Sequence, residues 1–217
     1  MEINPIEIKD NCRAQLGKYL IRAISVLPSI KHPLILDMGC GSGIPAFILS
    51  AHLKGKIYAV DTNEDAINYL KKKIANLNLT DKIFPLHRSV YDLEFAPKYF
   101  DIILAEGLFN IIGFEDGLSL VNKFIKEDGH VIIHDERINQ KSKEAIIKRS
   151  GFRLIHSFIL DEQVWWNDYY MCLEKEIRSF DAKITSSFFT KEMQEIKLYK
   201  ERPWLFSSMY YVLSKTK

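Results

Sequence analysis

The stretch Leu34-Ile35-Leu36-Asp37-Met38-Gly39-Cys40-Gly41-Ser42-Gly43-Ile44-Pro45 constrains the fold more than any other part of the chain. Apolar residues end in an acid, three glycines alternate, and an apolar helical pattern (Phe47, Ile48, Leu49) follows. That order reads as a buried strand, a tight turn and a helix start. Glycine belongs where the backbone takes positive φ or lies against a ligand, because a Cβ would collide. The N–H groups of such a turn, with the helix N-terminus, are expected to form an electropositive cradle at the strand's carboxyl end. In a doubly wound sheet that end opens on the crevice where ligands bind.

Spacing narrows the ligand. Gly39, Gly41 and Gly43 read G-x-G-x-G, with Ile44 where a dinucleotide fingerprint needs its last glycine. No Lys-Ser/Thr pair follows to grip a phosphate. Asp37 would repel a pyrophosphate and suits a ligand with an ammonium group. One helix's length later, Lys56-Ile57-Tyr58-Ala59-Val60-Asp61 is a short β-rich run that also ends in an acid. An acid at the tip of a second strand accepts hydrogen bonds from a ribose diol. Asn63-Glu64-Asp65 then opens a helix carrying Ile67, Leu70, Ile74 and Leu77.

With these two motifs in register the chain resembles the class I methyltransferases that use S-adenosylmethionine (SAM), and among them the type acting on small molecules. Their first motif reads (D/E)-x-G-x-G-x-G. The resemblance implies a single α/β domain over residues 1–217: a doubly wound, mostly parallel seven-stranded sheet, helices on both faces and an antiparallel last strand. Residues 1–30 form a helical lead, and 161–205 a helical aromatic insertion before the last strand.

Composition sets the outer bounds. Thirty basic residues against 28 acidic ones leave +2, too balanced to favour nucleic acid or a membrane surface as partner. No apolar run approaches the ~20 residues of a membrane span, and the first residues do not read as a signal peptide. Cys12, Cys40 and Cys172 are odd in number and scattered, so the expectation is no disulfide and a reducing, cytoplasmic setting.

The rest of the chain fills in the frame. Leu16, Leu20, Ala23, Ile24 and Leu27 mark an amphipathic helix that Pro28 stops. Lys82 to His87 is a third strand, and Pro85 places it at a sheet edge. Tyr99 to Glu106 is the fourth strand. Leu118, Val121, Phe124 and Ile125 mark a helix closed by Asp128-Gly129, and a fifth strand runs from His130 to Glu136. His130 and His134 stand ~13 Å apart on a strand, so no metal site is expected there. A helix through Ala145 to Ile147 ends at Ser150-Gly151. Phe152 to Leu160 alternates as a strand, and Phe206 to Leu213 is a strand covered on both faces. Between them, Trp166, Tyr170, Leu173, Ile177 and Phe180 form one helix stripe, and Thr190 can cap a second helix.

The resemblance, carried over residue by residue, implies a site. Asp37, Gly39, Cys40 (by its backbone) and Gly41 would hold the methionyl part of SAM, and Asp61 with Thr62 the ribose. Ser89 and Val90 would meet adenine, although the family usually shows an acid where Ser89 stands. Ala105 ends the fourth strand beside the cofactor. Glu106 and His134 are the candidate catalytic acids or bases, and Asn110 faces the acceptor. Ala105-Glu106-Gly107-Leu108 replaces the (D/N)-P-P-(Y/F) segment of base-modifying enzymes, which argues against an RNA methyltransferase. Trp165 and Tyr169, four apart, are candidates for a lid that stacks on a small-molecule acceptor; the same rings suit an auxiliary core or a homodimer contact. A SAM-binding protein without catalysis stays open, and an NAD(P) oxidoreductase is disfavoured by the glycine spacing.

Overall fold

A computed structural model describes residues 4–216. The chain begins with α1 (Pro5–Arg13), a 3-10 turn and α2 (Gly17–Ser25). Asn4 starts α1 because its side chain accepts from the N–H groups of Ile6 and Glu7. There follow β1 (Leu34–Met38), α3 (Ile44–His52), β2 (Lys56–Asp61), α4 (Glu64–Asn76), β3 (Ile83–His87) and β4 (Phe100–Glu106). Asn63 caps α4 by accepting from Ala66 N. Then come α5 (Phe109–Ile112), α6 (Phe114–Phe124), β5 (Ile125–Glu136), α7 (Gln140–Arg149) and β6 (Phe152–Leu160). The insertion holds α8 (Glu162–Trp165), a π turn (Trp166–Tyr170), α9 (Met171–Arg178), α10 (Ala182–Phe188) and α11 (Thr190–Glu201), before β7 (Ser208–Lys215).

The seven strands form one sheet in the order β3-β2-β1-β4-β5-β7-β6. β7 runs antiparallel to β5 and β6, and the other pairings are parallel. The expected architecture and the edge position of β3 are both present. Side chains alternate between faces. One face packs Ile35, Ile57, Ile102, Leu104, Ile132 and Val212 against α2, α3 and α4. The other packs Leu36, Ile103, Val131, Ile133 and Tyr211 against α6 and α7. The strand order reverses between β1 and β4, which leaves a crevice at their carboxyl ends.

Three local expectations need correction. α6 ends at Phe124, and Ile125 already pairs with Phe100 as the first residue of β5; Asp128-Gly129 lies within that strand, beside a register shift. Thr190 does not cap α11: its hydroxyl donates back to the carbonyl of Ser186. Cys12 and Cys172 are joined in a disulfide, with Cα atoms 5.5 Å apart. The sequence hid this pairing because 160 residues separate the two cysteines. A disulfide persists in oxidising surroundings, so cysteine number is no argument for a reducing compartment here. Among the described residues no helix is long and apolar enough to cross a membrane.

The bond ties α1 to the insertion, whose own core joins Tyr170, Leu173, Ile177, Phe189, Ile196 and Tyr199. Trp166 and Phe180 pack against it, so the expected stripe is the one that is buried. A second tie runs from α1 to the glycine turn: Ser42 donates to Asp10, which also pairs with Lys73. α1 therefore bridges the crevice, held at the glycine turn and at the insertion.

Candidate active site

Alternation along the strands decides what faces the crevice. Asp37 on β1, Glu106 on β4, His134 on β5 and Tyr210 on β7 continue the rows Ile35, Leu104, Ile132 and Val212, all on the α2/α3 face. Ala105 has the opposite parity and is fully buried against α6. Its side chain belongs to the core on that other face of the sheet, so only its backbone can border the crevice.

The first wall is acidic. Asp37 is 1% exposed, and its Oδ2 has no hydrogen-bond partner among the described residues. Burial, followed by the charges of Glu106 and Asp61, pushes its carboxyl well above the usual range. Glu106 accepts a hydrogen bond from the Tyr210 hydroxyl, and burial raises its carboxyl too. Asp61 is clamped on both oxygens, by Gly41 N at 2.8 Å and by Asn63 N at 2.8 Å. Each carboxylate oxygen keeps a lone pair for a further donor.

The glycine turn is not the electropositive cradle expected from sequence. Gly39 N and Cys40 N both donate to Val60 O, Gly41 N to Asp61, and Gly43 N to Cys40 O. Those donors are spent on the protein, and the Cys40 thiol is buried in the core. What the turn offers is closeness: Gly41 sits at φ +53°, and a Cβ there would meet nothing within 4 Å. Its bare backbone forms open cleft wall.

Two cavities adjoin this row. One, of about 250 Å3, is lined by Asp61, Thr62, Ser89, Val90 and Gly107. Ser89 is already engaged, accepting from Tyr91 N. The other, of about 740 Å3, is lined by Arg13, Asn110, His134, Trp165, Trp204 and Ser208 among others. Gly107, at φ +68° with open space where a Cβ would stand, belongs to both. The cavities therefore meet at the end of β4.

A ladder of rings closes the second wall. His134, Tyr210 and Phe158 are register partners on β5, β7 and β6. The His134 and Tyr210 rings stack 4.3 Å apart, and those of Tyr210 and Phe158 5.0 Å apart. Trp165 lies parallel to His134 at 5.9 Å and donates its indole N–H to Ser208 Oγ at 3.0 Å. Burial first, and then the Arg13 charge, lower the His134 pKa to about 3. A ring that is protonated only near pH 3 is a poor proton acceptor at neutral pH.

Residues 35–129 match the family of methyltransferase domains. That match covers less than half of the chain. The chain is 28% identical to the ribosomal protein L11 methyltransferase of Acetivibrio thermocellus over 142 residues, which is 64% of this chain and 43% of that protein. With the histone-arginine methyltransferase CARMER of Anopheles gambiae it shares 28% over 102 residues, 46% of this chain and 16% of the relative. It spans less than half the length of the curated relatives it matches. Among solved structures it is similar to the [4+2]-cyclase SpnF, with a TM-score of 0.79 at 11% identity, covering 94% of this chain and 80% of the other. The cyclopropane synthase MmaA2 of Mycobacterium tuberculosis gives a TM-score of 0.75 at 12% identity, covering 91% and 83%. At such identities the likeness is one of fold.

The chain thus gathers Asp37, Gly39, Asp61, Thr62, Ser89, Val90 and Glu106 around one end of the crevice, and Asn110, His134 and Trp165 around the other. Tyr169 stands edge-on to Trp165 with ring centroids 6.4 Å apart, but it does not line the large cavity. Its ring packs with Tyr170 and the insertion core, where burial pushes its hydroxyl up to about 12. The sequence reading missed Arg13, Gly107, Ser208 and Tyr210. The last strand read only as doubly covered, and nothing in the helical lead marked Arg13.

Proposed function

We propose that this protein is a methyltransferase that binds SAM at the acidic wall and transfers its methyl group to a small molecule held in the 740 Å3 cavity. The observation that carries this reading is Asp37: a buried carboxylate with an unused oxygen, two further acids nearby and no ion-pair partner among the described residues. Such a site fits a cationic ligand, and the methionyl ammonium is one. Asp61 and Thr62 line the place for the ribose, with Ser89 and Val90 beside the base.

When bound, SAM supplies a methyl group already made electrophilic by its sulfonium. The chain's task is then placement and the exclusion of water. Glu106, held by Tyr210 at the junction of the cavities, orients groups on the cofactor side. Arg13, at the end of α1, and Trp165 border the acceptor side, and α1 is tied to the glycine turn through Asp10 and Ser42. Cofactor, acceptor class and activity are tested together by incubating the protein with methyl-labelled SAM and a metabolite extract. Label should pass to a small molecule. Failure to bind SAM in calorimetry would overturn the reading; label found only on protein or RNA would overturn the acceptor class.

A further inference from the structure

The hydrogen bonds around Ser208 specify more about His134 than its position. His134 is 7% exposed and Ser208 5%. Ser208 Oγ lies 2.9 Å from His134 Nε2 and 3.0 Å from Trp165 Nε1. An indole nitrogen only donates, so Trp165 occupies one lone pair of the serine oxygen. The serine proton must then find an acceptor. Among the described residues the one within reach is His134 Nε2. The reverse arrangement, with Nε2–H donating to Ser208, would leave a buried hydroxyl proton unpaired. A neutral imidazole that accepts at Nε2 carries its proton on Nδ1. Nδ1 has no partner among the described residues, and His134 lines the large cavity.

Charge points the same way. The guanidinium groups of Arg13 and Arg137 line that cavity and form no ion pair or side-chain hydrogen bond among the described residues. Of the cavity's acids, Asp135 pairs through one oxygen with Lys143 at 2.6 Å, and Glu195 accepts from the Tyr170 hydroxyl at 2.8 Å. Two guanidinium groups therefore stand ready to pair with an anion that enters the cavity.

We propose that Trp165 and Ser208 lock His134 as an Nδ1–H donor, and that this donor, with Arg13, binds a carboxylate of the methyl acceptor. The inference rests on the methyltransferase reading for the word acceptor alone; the lock stands or falls without it. His134 touches the ligand, whereas Ser208 and Trp165 act through it as positioning residues. The acceptor is a carboxylic acid whose body lies against Trp165, Trp204 and Phe206. No proton needs to leave the bound carboxylate, which matches a histidine that does not take one up.

Long-range proton–nitrogen NMR on protein with 15N-labelled histidine reads the tautomer directly. At pH 7 the parent should show His134 as the neutral Nδ1–H form. Ser208→Ala should move it toward Nε2–H, and Ser208→Thr, which restores a hydroxyl, should return it. An Nε2–H ring or an imidazolium in the parent overturns the lock, whether or not Ser208→Ala folds. For the ligand class, acetate is titrated into the parent against methylammonium. Acetate should shift the His134 Nδ1 resonance and methylammonium should not; the converse, or no shift with acetate, overturns the carboxylate assignment. SAM binding measured on the same sample keeps failure of the broader reading separate.

Discussion

The wall of the crevice built by β1, β2 and β4 and the wall built by β5, β7 and the insertion differ in how their residues are brought together. The first draws on strand ends and turns between Asp37 and Gly107, each within one βα unit of the next. The second combines Arg13, His134, Trp165 and Ser208, which meet only once the whole sheet is closed. The first wall carries unpaired negative charge and bare backbone; the second carries rings, guanidinium groups and a buried hydrogen-bond chain. A fixed ligand can be met by local motifs, whereas a variable one is met by parts that owe little to each other in sequence.

That contrast can be broken by variants that should separate cofactor binding from turnover. The largest effect is expected for Gly41→Val. A branched side chain at φ +53° on open cleft wall should weaken SAM binding by about a hundredfold or more, while circular dichroism stays that of a folded protein. Normal binding by a folded Gly41→Val would remove the turn from the site. Asp61→Ala should weaken SAM by roughly ten- to a hundredfold, from ~1.5–3 kcal/mol of lost hydrogen bonding. It should also lower the Tm, because Gly41 N and Asn63 N lose their acceptor.

Next in size is a pH effect. Burial raises the Asp37 carboxyl in the free protein, and an ammonium ligand favours its ionised form. SAM affinity should therefore fall as pH drops through that raised value, by up to about tenfold per pH unit, and Asp37→Asn should flatten the slope. Calorimetry over a pH series decides it; an equal slope in Asp37→Asn would place the titrating group elsewhere. The smallest effect sharpens the other wall. Trp165→Ala should leave SAM affinity nearly unchanged and lower kcat/KM for the acceptor by about five- to thirtyfold, from ~1–2 kcal/mol of ring contact and alignment. A parallel loss of SAM affinity would mean that the two walls are not separable.

The sequence made the first wall legible for a physical reason. Positive φ at Gly39, Gly41 and Gly43 and an acid at each strand tip are local demands, and they leave local marks. The strand alternation, the edge position signalled by Pro85 and the caps at Asn63 and Gly151 are marks of the same kind. Even there the reading erred on the turn's N–H groups, because their acceptor, Val60 O, belongs to the neighbouring strand. Tyr210 and Ser208 gave no sign, since their roles depend on β7 entering between β5 and β6. The pair Trp165 and Tyr169 was legible as aromatic. That Trp165 alone of the two would line the large cavity was not legible, because a π turn from Trp166 to Tyr170 interrupts the expected repeat.

The place of β7 also bears on how the protein comes to exist. β5 and β6 are neighbours in sequence, joined through α7, yet they do not pair with each other; each pairs with β7. While a ribosome is still making the insertion, β6 has no partner strand, and β5 is paired on its β4 side alone. Chains emerge and fold from the N-terminal end, so the cofactor wall can take shape early, on residues already synthesised. The acceptor wall must wait for β7, which delivers Ser208 to His134 and Tyr210 to Glu106 as it zips the sheet shut. A nascent chain arrested before Ser208 would hold the glycine turn and the acids Asp37, Asp61 and Glu106, but it could not yet hold the acceptor wall together.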